Sequence, residues 1–70
     1  MAAIISLHPD LDALLRPAEV AAIFRVSPKT ISRWSDAGVL VATRTNGGHR
    51  RFPARAVYEL FDEVGVVGDR

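Results

Sequence analysis

Apolar positions recur at helical spacing in three stretches of this chain. Val20, Ile23 and Phe24 stand at i, i+3 and i+4, which gives a helix running from Pro17 to Phe24 one apolar face. Pro17 suits a first helical position, where its missing N–H has no partner to lose. Glu19 lies in the first turn, where the helix dipole favours a negative charge. Leu15 precedes the helix and can staple onto it, and the small Ala21 and Ala22 let another helix approach. After the short break Arg25-Val26, Ser27-Pro28 is a start signal, a side-chain cap followed by proline. It predicts a second helix over 28–37, stopped by Gly38. Ile31 and Trp34 face inward; Lys29, Thr30, Ser32, Arg33 and Asp36 fill the outward arc. A third helix begins at Pro53, with Val57, Leu60, Phe61 and Val64 on one face, and Gly65 stops it.

Between the second and third helices the period changes. Val39, Leu40, Val41 and Thr43 favour an extended strand. Asn46-Gly47-Gly48 signals a hairpin turn with positive φ at its centre, and Arg50-Arg51-Phe52 is the returning strand. Residues 1–8 show no clear period. His8-Pro9-Asp10 predicts a turn, and residues 10–15 a short helical turn. The expected fold is mainly α with a small antiparallel β-hairpin, in the order helix, tight turn, helix, hairpin, helix. That is a winged helix-turn-helix. The expected divisions are an N-terminal extension over 1–15, the domain over 16–64, and a loose tail over 65–70.

Composition narrows the picture. Seventy residues make one domain with a thin core, and there is no cysteine to staple it or to bind zinc. No apolar run approaches the roughly 20 residues of a membrane span. The start of the chain lacks a basic segment before an apolar one, as a signal peptide would have. A reducing cytoplasm, with no membrane association, is therefore expected. The net charge of +1 hides an uneven distribution. Arg25, Lys29, Arg33, Arg44, Arg50, Arg51 and Arg55 fall in one central stretch whose only acid is Asp36. The flanks hold seven acids against Arg16 and Arg70. A basic middle points to a polyanion on one face; the plainer reading is a solvated surface.

An α-helix fits the major groove of B-form DNA, and its outward residues then meet base edges. Thr30 and Arg33 are the candidates for bases, while Lys29 and Ser32 suit phosphates or bases at the groove edge. The helix start at Ser27 can meet a phosphate. The hairpin supplies a second element. Gly47 and Gly48 make a slim tip, with His49, Arg50 and Arg51 along its edge and Arg44 on the outgoing strand. Alternation sends Arg50 and Arg51 to opposite faces, one for DNA and the other for the fold or a neighbouring protein; Arg50 is favoured for DNA. Trp34 shares a face with Ile31 and is expected in the core rather than stacked on a base. Arg25 and Arg55 are as well suited to solvent or to acids as to DNA. With two histidines and no cysteine, no metal site, cofactor or nucleophilic triad is expected, and neither is an enzyme.

Residues 14–52, "LLRPAEVAAIFRVSPKTISRWSDAGVLVATRTNGGHRRF", resemble the MerR-like winged helix-turn-helix proteins. The pieces that carry the resemblance are "PAEVA", "VSPKTISRW", "AGVL" and "GGHRRF". It is closest to the minimal members, phage excisionases (Xis) and BldC-like regulators. The resemblance implies that Lys29, Thr30, Ser32 and Arg33 lie on a recognition helix and that Gly47 to Arg51 form a wing. Two departures stand out: Arg16 replaces the usual threonine or serine cap before "PAEVA", and Arg25 replaces the glycine common before the turn's valine.

The resemblance points first to an excisionase, a recombination directionality factor without catalytic residues. It would bend attachment-site DNA so that a phage-type integrase carries out excision. The second reading is a BldC-like transcription regulator on promoter direct repeats. A third is a protein-interaction adaptor that does not bind DNA. With only a few residues after the third helix, no small-molecule effector domain is expected. The apolar segments at residues 2–5 and 64–67 suggest weak head-to-tail association on DNA.

Overall fold

The computed structural model describes residues 10–68. The apolar residues 2–5 and the start of the His8-Pro9-Asp10 turn lie outside them. Three helices and three short strands follow in order. They are β1 (Leu14–Leu15), α1 (Pro17–Phe24), α2 (Pro28–Asp36), β2 (Thr43–Arg44), β3 (Arg50–Pro53) and α3 (Ala54–Val64).

Helix α1 starts without a side-chain cap, because arginine has no acceptor to offer. Glu19 replaces half of that function, its carboxylate accepting from the Arg16 N–H at 2.8 Å. The helix ends at Arg25, which takes the left-handed conformation itself (φ 59°, ψ 46°). The turn geometry that glycine usually serves is thus reached without glycine. Of the two alanines only Ala21 is buried; Ala22 faces solvent. Helix α2 begins with the Ser27 hydroxyl accepting from the Thr30 N–H at 3.2 Å. The Val39 and Leu40 amides close the end of α2 on the Trp34 carbonyl.

The sheet is larger than the sequence suggests. Instead of a two-stranded hairpin it is an antiparallel sheet in the order β1-β3-β2. Leu14 pairs with Pro53 and Leu15 with Phe52, so residues 14 and 15 belong to the domain and not to an extension. Just before them, residues 10–13 form a turn, with the Ala13 N–H donating to the Asp10 carbonyl. The expected strand over residues 39–43 shrinks to Thr43–Arg44. Residues 37–40 are turn and bend, and Leu40 plugs the core while Val39 and Val41 stay exposed.

Pro53 closes β3 and precedes α3 rather than starting it. The first two amides of α3 would be orphans. The Ala54 N–H donates to the Ala13 carbonyl at 2.9 Å and the Arg55 N–H to the Leu11 carbonyl at 3.2 Å. The N-terminal segment is therefore the cap of α3. At the other end Gly65 (φ 67°, ψ −159°) sits where only glycine is comfortable and turns the chain back. The tail is not loose up to residue 68. The Val67 and Gly68 amides donate to the Phe24 carbonyl at 3.0 and 3.1 Å, closing the C-terminal end of α1.

All of this surrounds one core of Val20, Ala21, Phe24, Ile31, Leu40, Phe52 and Val57. Phe24 is its hub. Its ring meets Trp34 of α2 edge-on at 5.2 Å and Phe61 of α3 at 5.6 Å, so three helices share one aromatic contact. No polar or charged side chain is buried among the described residues. None of their helices is long and apolar enough to cross a membrane.

Candidate DNA-binding surface

Because Ile31 is buried and Trp34 half-buried, the opposite arc of α2 faces outward. Lys29 and Arg33 are exposed, and Ser32 is half-buried beside them. Asp36 continues the same face one turn on from Arg33 and Ser32. Thr30 is half-buried, and its hydroxyl lies 3.2 Å from that of Ser27. Both residues at the start of α2 are thus engaged in holding the helix end together.

The wing follows from a three-residue loop. The Gly48 N–H donates to the Thr45 carbonyl at 2.8 Å and the Thr45 N–H to the His49 carbonyl at 2.9 Å. Gly48 takes φ 77°, as the third residue of such a loop must. Gly47 does not have positive φ, contrary to the expectation for the centre of the turn. The close neighbour of its Cα is a side chain. A methyl group on Gly47 would stand 2.9 Å from His49 Cδ2, so the imidazole lies across the glycine. The tip, residues 45–49, is exposed.

The arginines divide into three kinds. Arg44 is exposed and donates to the Gly48 carbonyl at 2.9 Å, bracing the loop from outside. Arg51 is half-buried and donates to the Arg50 carbonyl. Arg50 crosses to α2. Its Nη1 donates to the Ser32 carbonyl at 2.9 Å and its Nη2 to the Asp36 carboxylate at 2.6 Å. Only 22% of the Arg50 side chain is exposed, against 67% for Asp36. The sequence favours Arg50 for DNA; in this conformation its guanidinium is engaged by the protein and bridges β3 to α2.

Alternation explains why. Phe52 is fully buried, and Arg50 lies two residues before it on the same face of β3. That face looks toward the core and α2. Arg44 stands directly across from Arg50 in the register, so two cations oppose each other. Each finds a different acceptor, the Gly48 carbonyl for one and α2 for the other.

Lys29, Arg33 and the wing are therefore brought together, because Arg50 fastens the wing to the helix that carries the other two. Arg55 is separate. It lies 3.7 Å from Asp12, with both side chains largely in solvent, and borders an open groove with Leu11, Tyr58, Glu59 and Asp62. Asp36 was not among the sequence candidates. Its signal was present in the sequence as the single acid between Glu19 and Glu59. Among the described residues no group of three or more histidines or carboxylates is placed to hold a metal ion.

Three helices, a short helix-to-helix turn and a β-wing fastened to the second helix define a winged helix-turn-helix domain. Residues 14–63 match the family described as the helix-turn-helix domain, and the chain belongs to that family. The match begins at β1 and ends one residue before the end of α3, so family and folded unit share nearly the same limits. The family includes small excisionase-like DNA-binding proteins, is typically non-enzymatic, and supports a role in binding double-stranded DNA. No curated protein matches the chain.

Proposed function

We propose that this protein is an excisionase, a recombination directionality factor that binds attachment-site DNA in a sequence-specific way and bends it for a phage-type integrase in the cytoplasm. The observation that supports it best is the exposed Lys29–Arg33 face of α2 joined to a glycine-tipped wing. On this reading α2 enters the major groove. Arg33 reads a base, with Thr30 beside it at the edge of the contact, and Lys29 holds a phosphate. Ser32 and Ser27 line the helix side that approaches the backbone. Arg44, His49 and the Gly47-Gly48 tip follow the neighbouring phosphates or minor groove, and Arg51 adds charge from the outer face of β3.

A single unit of this size makes an interface on the order of 600–1,000 Å². Bending a site costs a few kcal/mol, so several copies on adjacent repeats are needed. Exposed Val64, Val66 and Val67 support weak head-to-tail contact between such copies. Footprinting on candidate attachment sites, followed by an excision reaction with the purified integrase, tests the proposal. Regularly spaced protection and integrase-dependent excision are expected. Protection confined to promoter repeats, without stimulated excision, would favour a BldC-like transcription regulator instead. Absence of duplex binding at low salt would leave only the adaptor reading.

A further inference from the structure

We infer that Asp36 is a positioning residue, which fixes the angle between recognition helix and wing by holding Arg50. The inference rests on the DNA-binding reading above and assigns a role to an acid that this reading does not use.

Asp36 lies on the arc of α2 that carries Lys29 and Arg33, and it is 67% exposed. A carboxylate at that place repels a phosphate backbone and weakens binding to any duplex. An acid there needs a compensating use, and the structure supplies one. Arg50 spends one donor on Asp36 and another on the Ser32 carbonyl, four residues earlier on α2. The planar guanidinium thereby spans one turn of the helix and cannot swing about a single contact. Asp36 is the last residue of α2, where the helix dipole adds to the attraction for a cation. Arg50 in turn is anchored by its own strand, since Phe52 is buried two residues on and Arg44 pairs directly across.

Side chains as exposed as Asp36 contribute little to overall stability through such a pair. The strut therefore acts on orientation. The base of β3 is fixed by its pairing with β1 and by buried Phe52, whereas the β2–β3 loop beyond it is held by its own hydrogen bonds and a two-residue ladder, and Arg50 is the side chain that ties this outer part to α2. Two DNA-facing elements at a fixed angle discriminate between sites; at a loose angle they still bind charge.

The proposal and simple electrostatics give opposite signs for Asp36→Asn. That variant removes a negative charge from the interface, so charge alone predicts tighter binding to specific and random duplex alike. The strut predicts that specific affinity falls about tenfold while random-duplex affinity is unchanged or rises. Asp36→Glu should keep the specific affinity within about threefold. Arg50→Lys keeps its charge but loses the planar fork, and should match the asparagine variant. Affinities for the footprinted site and for a random duplex, at one salt concentration, give the ratio. Backbone amide relaxation of residues 45–49 gives an independent readout without DNA. Faster motion of the wing in Asp36→Asn is expected.

Equal tightening on both duplexes, or an unchanged wing relaxation, would overturn the strut. If neither Asp36→Asn nor Arg50→Lys folds, the pair is needed for the fold itself and the positioning role is likewise overturned. If the wild-type protein binds no duplex, the DNA reading fails by itself, and wing relaxation alone decides the strut.

Discussion

Arg25 holds a backbone conformation that costs a residue with a Cβ roughly 1–2 kcal/mol. It does so at the one place where α1 must turn sharply into α2, with the Val26 N–H closing on the Ala21 carbonyl at 3.0 Å. Arg25→Gly should therefore raise stability by about 0.5–1 kcal/mol, measured by urea unfolding. A loss of stability would mean that the arginine side chain contributes more than its backbone costs. At Arg33 the expectation concerns recognition. Arg33→Ala should lose about 1–3 kcal/mol of discrimination between the specific and a mismatched site, by competition binding. Equal discrimination in variant and wild type would remove Arg33 from the reading surface. The placement of Arg50 also belongs to this scale: period-2 alternation from the apolar Phe52 puts it on the inward face of β3, where α2 engages its guanidinium.

At the scale of elements, the three helices were legible because each has an apolar stripe with a start or stop residue beside it. Pro17, Ser27-Pro28, Gly38 and Gly65 each stand within a residue or two of an observed boundary. The wing was legible from Asn46-Gly47-Gly48. Strand β1 was not. Two residues, one exposed and one half-buried, give no period, and their pairing with β3 is a contact some forty residues away in sequence. The capping of α3 by the Leu11 and Ala13 carbonyls was hidden for the same reason, since every residue offers a backbone carbonyl whatever its side chain. Two tests follow here. Gly65→Ala should cost about 1–3 kcal/mol, because φ 67°, ψ −159° excludes a Cβ. Unfolding by urea checks it, and a neutral result would show that the turn can relax. Gly47→Ala should leave stability within about 0.5 kcal/mol, since the exposed His49 ring can move aside. The His49 side-chain resonances should nevertheless shift.

Across the whole molecule, charge and core are arranged on different principles. The core is apolar throughout and converges on Phe24, so Phe24→Ala should cost about 3–5 kcal/mol, most of what a domain this small has. Thermal unfolding with a transition at or below room temperature is the expected outcome. The basic residues between Arg25 and Arg51 are offset by the acids of the flanks, which leaves a net charge of +1 and a marked dipole. With about five phosphate contacts, the logarithm of affinity should fall with that of salt at a slope of about −4 to −5. A slope near zero would rule out the basic face as the DNA contact.

The two amides that return to the Phe24 carbonyl also decide where the polypeptide leaves the folded unit. They hold residue 68 alongside the turn between the first two helices, so a tag, a fluorescent fusion or a tethered domain added at the carboxyl end starts close to that turn. Labels meant to report on DNA occupancy would be better placed on the surface of the third helix, at Glu59 for example, than at the carboxyl end.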